Sequence, residues 1–200
     1  MKTGDYVQIR DTYFTDHEDL KEFLINKEER RLYVGVIVKI DDQNACIPFR
    51  SKTPNNGRVA ARGTFPIPSS TRPEACLDLT KTLIIKEESY LKILDEKTIK
   101  IPETQKKKIN ENIDEIQKKL DKYLEGYKKA EKSGRLSRDA LFKFSTLQNY
   151  HEELGIKKEF KVENEKEKEK DRKDSKVENV QKDQERQRRL AYMRQMGRER

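Results

Sequence analysis

The sequence predicts an α+β domain with a charged C-terminal tail, on three observations. Residues 32–40 and 45–50 are dense in β-branched and aromatic side chains and flank the turn 41–44, which is the pattern of an antiparallel hairpin. Ile109, Ile113, Ile116, Leu120, Tyr123 and Tyr127 recur with 4-3-4-3-4 spacing, the single apolar stripe of an amphipathic helix. From Lys157 to Arg200 there are 16 Lys and Arg, 11 Asp and Glu, and almost no large apolar residue before Leu190. Such a segment cannot bury enough apolar surface to offset the entropy of ordering it. The expected division is therefore a domain over 1–156 and a tail over 157–200 that is disordered or partly helical, its end at 184–200 suited to folding as a basic helix on RNA or a partner.

The remaining elements follow in order. Residues 6–10 alternate weakly and predict a short strand. Thr15 with Glu18 three residues later reads as a capping box, opening a short helix with Leu20, Phe23 and Leu24 on its apolar stripe. Pro48 cannot donate to a ladder, which places the second hairpin strand near an edge or a bulge. Residues 51–73 change to Pro, Gly, Asn, Arg and Ser, an irregular loop of the length usually kept for function or disorder. Residues 77–85 read as more strand and 97–101 as a short one. Pro102 suits the first turn of one long helix that Ser133-Gly134 stops. Phe142 and Phe144 precede a last helix, capped by Ser145 with Gln148, turning Leu147, Tyr150 and Leu154 inward and ending at Gly155.

Composition narrows the function classes. The chain carries a net charge of +8, of which the tail supplies +5, so polyanions are favoured partners. Met1 to Asp5 open into polar sequence with no apolar signal region, and no apolar run approaches bilayer length; the expected compartment is cytoplasmic. Cys46 and Cys76 form neither a disulfide framework nor a metal-ligand spacing and read as small buried hydrophobes, so neither zinc nor another cofactor is expected. His151-Glu-Glu-Leu154 lacks the second histidine of an HExxH site, which rejects a metalloprotease. His151 sits near Leu147 and Leu154 on a helix and is a secondary acid–base or RNA-contact candidate; His17 reads as surface.

The chemistry-bearing stretch is Arg50-Ser51-Lys52, where a strand ends in a basic, hydroxyl-bearing corner beside the long loop. Cutting RNA without a metal requires that the 2′-OH lose a proton, that the phosphorane charge be stabilised and that the 5′-oxygen leave protonated. Arg and Lys supply charge where it develops, Arg with bidentate geometry, and a serine hydroxyl can donate to the phosphate or relay a proton. Alone, such a triplet ends a strand in water, and Arg30-Arg31 is a solvated charge pair.

The segments 33–40 and 45–52, Tyr-Val-Gly-Val-Ile-Val-Lys-Ile and Ala-Cys-Ile-Pro-Phe-Arg-Ser-Lys, resemble the hairpin of the ToxN/AbiQ superfamily of type III toxins, closest to the TenpN branch. Leu-Thr-Lys-Thr-Leu-Ile-Ile at 79–85, the Ile/Tyr-striped helix, and Phe-Ser-Thr-Leu-Gln-Asn-Tyr-His-Glu-Glu-Leu-Gly at 144–155 are similar to later parts of that layout. The resemblance covers about residues 1–156. It implies a strongly twisted antiparallel sheet wrapped by helices. It also implies a metal-independent endoribonuclease that leaves 2′,3′-cyclic phosphate and 5′-hydroxyl ends and acts in phage defence. Its partners would be target RNA and an inhibitory pseudoknot RNA, the latter bound in a closed protein–RNA assembly. Carried over by residue, Ser51 takes the key hydroxyl's place, Arg50 and Lys52 flank it as phosphate ligands, Arg31 matches a basic residue before the first hairpin strand, and Tyr33 is a further hydroxyl. Relatives have Ser-Pro-Lys where Lys52 directly follows Ser51 here. If the strand continued, these side chains would point to opposite faces, leaving Arg50, Arg58 or Arg62 to replace Lys52. Arg58, Arg62 and Arg72 of the loop are RNA-contact candidates. Two other readings compete: a non-catalytic RNA- or DNA-binding protein, and a helical interaction protein using the 109–127 stripe.

Overall fold

In the computed structural model, the described residues are 1–22, 33–94 and 100–156. The chain begins with strand β1 (Tyr6–Ile9) and a single helical turn and a half, α1 (Asp11–Asp16). The helix expected from Thr15 onward does not form among the described residues: α1 precedes it, residues 17–22 are not helical, and Phe23 and Leu24 lie outside the described residues. Thr15 lies inside α1 and its hydroxyl bonds the Asp11 carbonyl at 3.3 Å, so it does not cap. What seats α1 is an aromatic cluster: Tyr13, 3% exposed, meets Phe14 and Tyr90 edge-on, stacks on His17 and shares a 2.9 Å hydroxyl bond with Tyr150. Tertiary contacts here outweigh a local cap.

The hairpin forms as expected, as β2 (Tyr33–Ile40) and β3 (Gln43–Arg50), with a turn of only two residues because Ile40 pairs with Gln43. Asp41 takes a left-handed φ of 51°, which Asp tolerates better than most residues. Gly35 pairs with Pro48, and a Cβ at Gly35 would overlap the Cys46 sulfur and come within 2.7 Å of the Ile47 carbonyl, so only glycine fits.

The expected long loop is in fact structured. Asn56 caps α2 (Gly57–Gly63) by accepting from the Arg58 and Val59 amides, and β4 (Thr64–Pro66) follows. The 77–85 run breaks into β5 (Cys76–Asp78), a 3-10 turn (Leu79–Lys81) and β6 (Leu83–Ile85). A 3-10 turn (Glu88–Tyr90) leads to β7 (Leu91–Ile93), which the sequence pattern did not suggest. Of the strand expected at 97–101, residues 97–99 lie outside the described residues, and Lys100 and Ile101 are not in a strand.

The described strands make one antiparallel sheet ordered β4-β5-β3-β2-β1-β7, with β6 also on β3. Strand β3 is therefore central, not an edge. On its outer side β6 pairs with residues 44–46 and β5 with 49–50, which leaves a gap at 47–48. Antiparallel alternation counted from the two-residue turn points the Pro48 nitrogen into that gap, where its missing N–H costs nothing. The same counting points the Lys39 amide and carbonyl past the end of β1, and the Gln117 side chain meets both at 3.2 and 2.7 Å.

The single long helix expected after Pro102 is two, α3 (Glu103–Glu111) and α4 (Ile113–Lys132). Asn112 separates them: its side-chain amide bonds the Lys108 carbonyl at 2.7 Å, and its own N–H turns to Ile109 instead. Ser133-Gly134 ends α4 as expected; Gly134 at φ 62° lets its own and the Arg135 N–H close back on Glu131 and Ala130. Ile109, Ile116, Leu120, Tyr123 and Tyr127 are buried, so the stripe covers the protein's own sheet and is not free to bind other proteins. Each such side chain contributes about 1.5–3 kcal/mol, as an upper figure. The last expected helix is a 3-10 turn (Thr146–Asn149), with Ser145 capping it and Leu147, Tyr150 and Leu154 inward. This core lies within one unit, Met1–Ile156. No helix among the described residues is long and apolar enough to cross a membrane.

Candidate functional site

Strand β3 stops at Arg50, and the chain bends through Ser51 and Lys52 into the turn before α2. Thr53 fixes this bend, since its amide and hydroxyl both bond the Glu74 carbonyl at 2.8 Å. Because the strand has ended, alternation no longer sends Ser51 and Lys52 to opposite faces, and both exposed side chains line one open cleft of about 630 Å³. The 50–56 corner forms one wall. Thr80 and Lys81 of the 3-10 turn, with Ala140, Leu141 and Phe144, line the rest.

The cleft's charges are held from beneath. Asp78, wholly buried, accepts from Arg50 Nη1 at 2.7 Å through one carboxylate oxygen. Its other oxygen accepts the Thr80 hydroxyl at 2.6 Å and the Thr80 amide at 3.1 Å. A buried carboxylate with those partners fixes the guanidinium at the strand end, while the Arg50 side chain keeps about a third of its surface in water (34%). Lys81 is the second placed cation. Its ammonium donates to the Phe144 carbonyl at 2.7 Å and to the Glu22 carbonyl, and the Glu22 carboxylate lies 3.7 Å away. Burial lowers the Lys81 pKa, and Glu22 and Asp78 oppose that shift.

The structure thus gathers Arg50, Ser51 and Lys52 at one place, and the other predicted residues stand elsewhere. Arg58 pairs with Asp139 at 3.0 Å, tying α2 to the 139–144 side of the cleft. Arg62 is exposed on α2 and Arg72 in the turn it closes with Ser69; neither lines the cleft. Tyr33 is 5% exposed with its ring 5.3 Å from Phe14, inside the core. His151 bonds the Tyr127 hydroxyl through Nε2 at 2.9 Å and faces Glu131 at 3.9 Å, again away from the cleft lining. Arg31 lies outside the described residues. Both cysteines are buried, and burial raises both thiol pKa values, that of Cys46 to about 12. Among the described residues no cluster of three or more His, Cys, Asp or Glu could hold a metal ion.

Sequence reasoning passed over Asp78, Thr80, Lys81 and Phe144. A usable signal was present: Asp78 and Lys81 are lone charges inside the apolar run 76–85, and a charge in a buried strand needs an opposite partner.

No family model and no curated protein matches the sequence. Solved structures do. One, from a bacterial antiviral system regulated by a processed non-coding RNA, superposes with a TM-score of 0.51 at 14% identity, over 74% of this chain and 98% of that one. The two chains share a fold. Another, from a bacterial type III toxin–antitoxin system whose toxin is inhibited by a non-coding RNA pseudoknot, gives 0.48 at 22% identity, over 60% and 76% of the two chains. The hairpin and the 76–85 segment meet at the cleft corner, where Arg50 pairs with Cys76 across the ladder.

Proposed function

We propose that the cleft is the active site of an endoribonuclease toxin that cleaves RNA without a metal and is inhibited by a small antitoxin RNA. The observation that carries this is the convergence of Arg50, Ser51 and Lys52 on one cleft that Lys81 also lines. The fold shared with a protein of an RNA-regulated antiviral system supports it. A scissile phosphate at the corner would be gripped by Arg50 and Lys52, and the Ser51 hydroxyl would donate to a non-bridging oxygen or relay a proton. The 2′-oxygen, losing its proton, bonds to phosphorus; the P–O5′ bond breaks and the 5′-oxygen takes up a proton. The products are a 2′,3′-cyclic phosphate and a 5′-hydroxyl. Positive charge fixed before the reaction stabilises the dianionic phosphorane with no reorganisation at the moment of bond change. The same basic surface suits a closed assembly with a folded antitoxin RNA in the cytoplasm.

Purified wild type and Ser51→Ala, incubated with RNA in excess chelator and the ends mapped, test the proposal. Wild type should leave cyclic phosphate and 5′-hydroxyl ends. Ser51→Ala should cleave about 10²–10³-fold more slowly while binding RNA as tightly, because phosphate affinity rests on Arg and Lys. Binding without cleavage by wild type would make the cleft a non-catalytic nucleic-acid site.

A further inference from the structure

Phe144 is 53% exposed, and Ile93 is the other large apolar side chain so exposed among the described residues. A lone exposed phenylalanine signifies little. This one lines the same cleft as Ser51, and its surroundings hold it there. Its carbonyl accepts from the Lys81 ammonium, and the next residue, Ser145, caps the following 3-10 turn. The Lys143 ammonium stands 5.0 Å from the ring centroid, a cation–π contact. The turn therefore keeps an aromatic ring in water, with the Lys143 cation against it, in the cleft that Arg50 and Lys52 also line.

Resting on the reading of the cleft as an RNA site, we propose that Phe144 is the stacking shelf for a nucleobase of the single strand whose phosphate sits at Arg50, Ser51 and Lys52. Charge complementarity selects the occupant. An apolar peptide side chain would gain the ring but not the cations. A single-stranded nucleic acid offers a flat base to the ring and phosphates to Lys143, Arg50 and Lys52 at once. The shelf adds affinity for the strand and takes no part in bond cleavage itself. Stacking on an aromatic ring tolerates any base, so the shelf selects for unpaired strand over duplex.

The chain contains no tryptophan, so Phe144→Trp creates a single fluorescent reporter at the shelf. The probe is a short single-stranded 2′-O-methyl RNA, which binds but cannot be cut by its own 2′-oxygen. Quenching of the new tryptophan, with a midpoint equal to that from anisotropy of the labelled oligonucleotide, is the expected result. Phe144→Ala should weaken binding roughly 5- to 100-fold and raise KM with kcat and Tm little changed, and Phe144→Tyr should restore affinity. Binding seen by anisotropy with no quenching, and unaltered affinity in Phe144→Ala, would overturn the shelf while leaving RNA cleavage by wild type standing. Quenching in a protein whose wild type cuts no RNA would leave the shelf in place and remove the nuclease. Failure of the oligonucleotide to bind at all would overturn the shelf.

Discussion

At the residue scale the cleft depends on a buried carboxylate that never meets solvent. Asp78 holds Arg50 through one oxygen and accepts from Thr80 through the other, so removing it leaves both without that acceptor. Asp78→Ala should cost about 2–3 kcal/mol, at the low end for breaking a buried pair because Arg50 keeps access to water. The melting temperature should fall by about 5–10 °C; thermal unfolding measures it, and an unchanged Tm would show that the pair contributes nothing. Ser51 and Lys52 were legible in the sequence because a hydroxyl beside two cations at a strand end is itself a chemical pattern. Asp78 and Lys81 were not, because their importance comes from partners 28 and 63 residues away. Tyr33 carried the right functional group, but it starts a strand that turns its ring inward against Phe14.

At the element scale, strand existence was readable and strand partnership was not. Periodicity identified the hairpin and the Ile/Tyr stripe, since each is stabilised by residues adjacent in sequence or one turn apart. The interruptions arose from other causes. Asn112 divides α3 from α4 through its own side-chain amide, and the 3-10 turn at 79–81 lets β3 exchange β6 for β5. Pro48 correctly signalled a missing donor; the gap it fills is internal to the sheet. Close approach of β2 and β3 yields a sharp expectation: Gly35→Ala must move the Ile47 backbone or the buried Cys46, costing about 1–3 kcal/mol. Chemical denaturation should show a lower midpoint with an unchanged slope; a wild-type midpoint would mean that the hairpin has room to spare.

At the scale of the whole molecule, burial of phenols and thiols sets the alkaline limit. Burial raises the pKa of Tyr13 to about 12, and those of Tyr123, Tyr127 and Tyr150 upward as well; the thiol of Cys46 is pushed up to about 12. A native state that holds its protons longer than the unfolded chain is fully stable below the unfolded pKa values, at about pH 9–10, and loses stability as pH rises toward 12. Unfolding and tyrosinate absorbance should therefore rise together, and ionisation of all tyrosines in a still-folded protein would contradict this. The tail's +5 charge acts at long range. Deleting residues 160–200 should leave folding and cleavage intact and weaken RNA affinity most at low salt, measured by titrations at two ionic strengths. Loss of folding on truncation would move the proposed boundary at 156. The Arg50–Ser51–Lys52 corner is proposed to direct a 2′-oxygen onto phosphorus. The most direct test is an RNA substrate with a single 2′-deoxy sugar at the mapped cleavage position. Unchanged binding and no cut at that phosphate are expected, whereas cleavage at the deoxy position would show that the attacking oxygen comes from elsewhere.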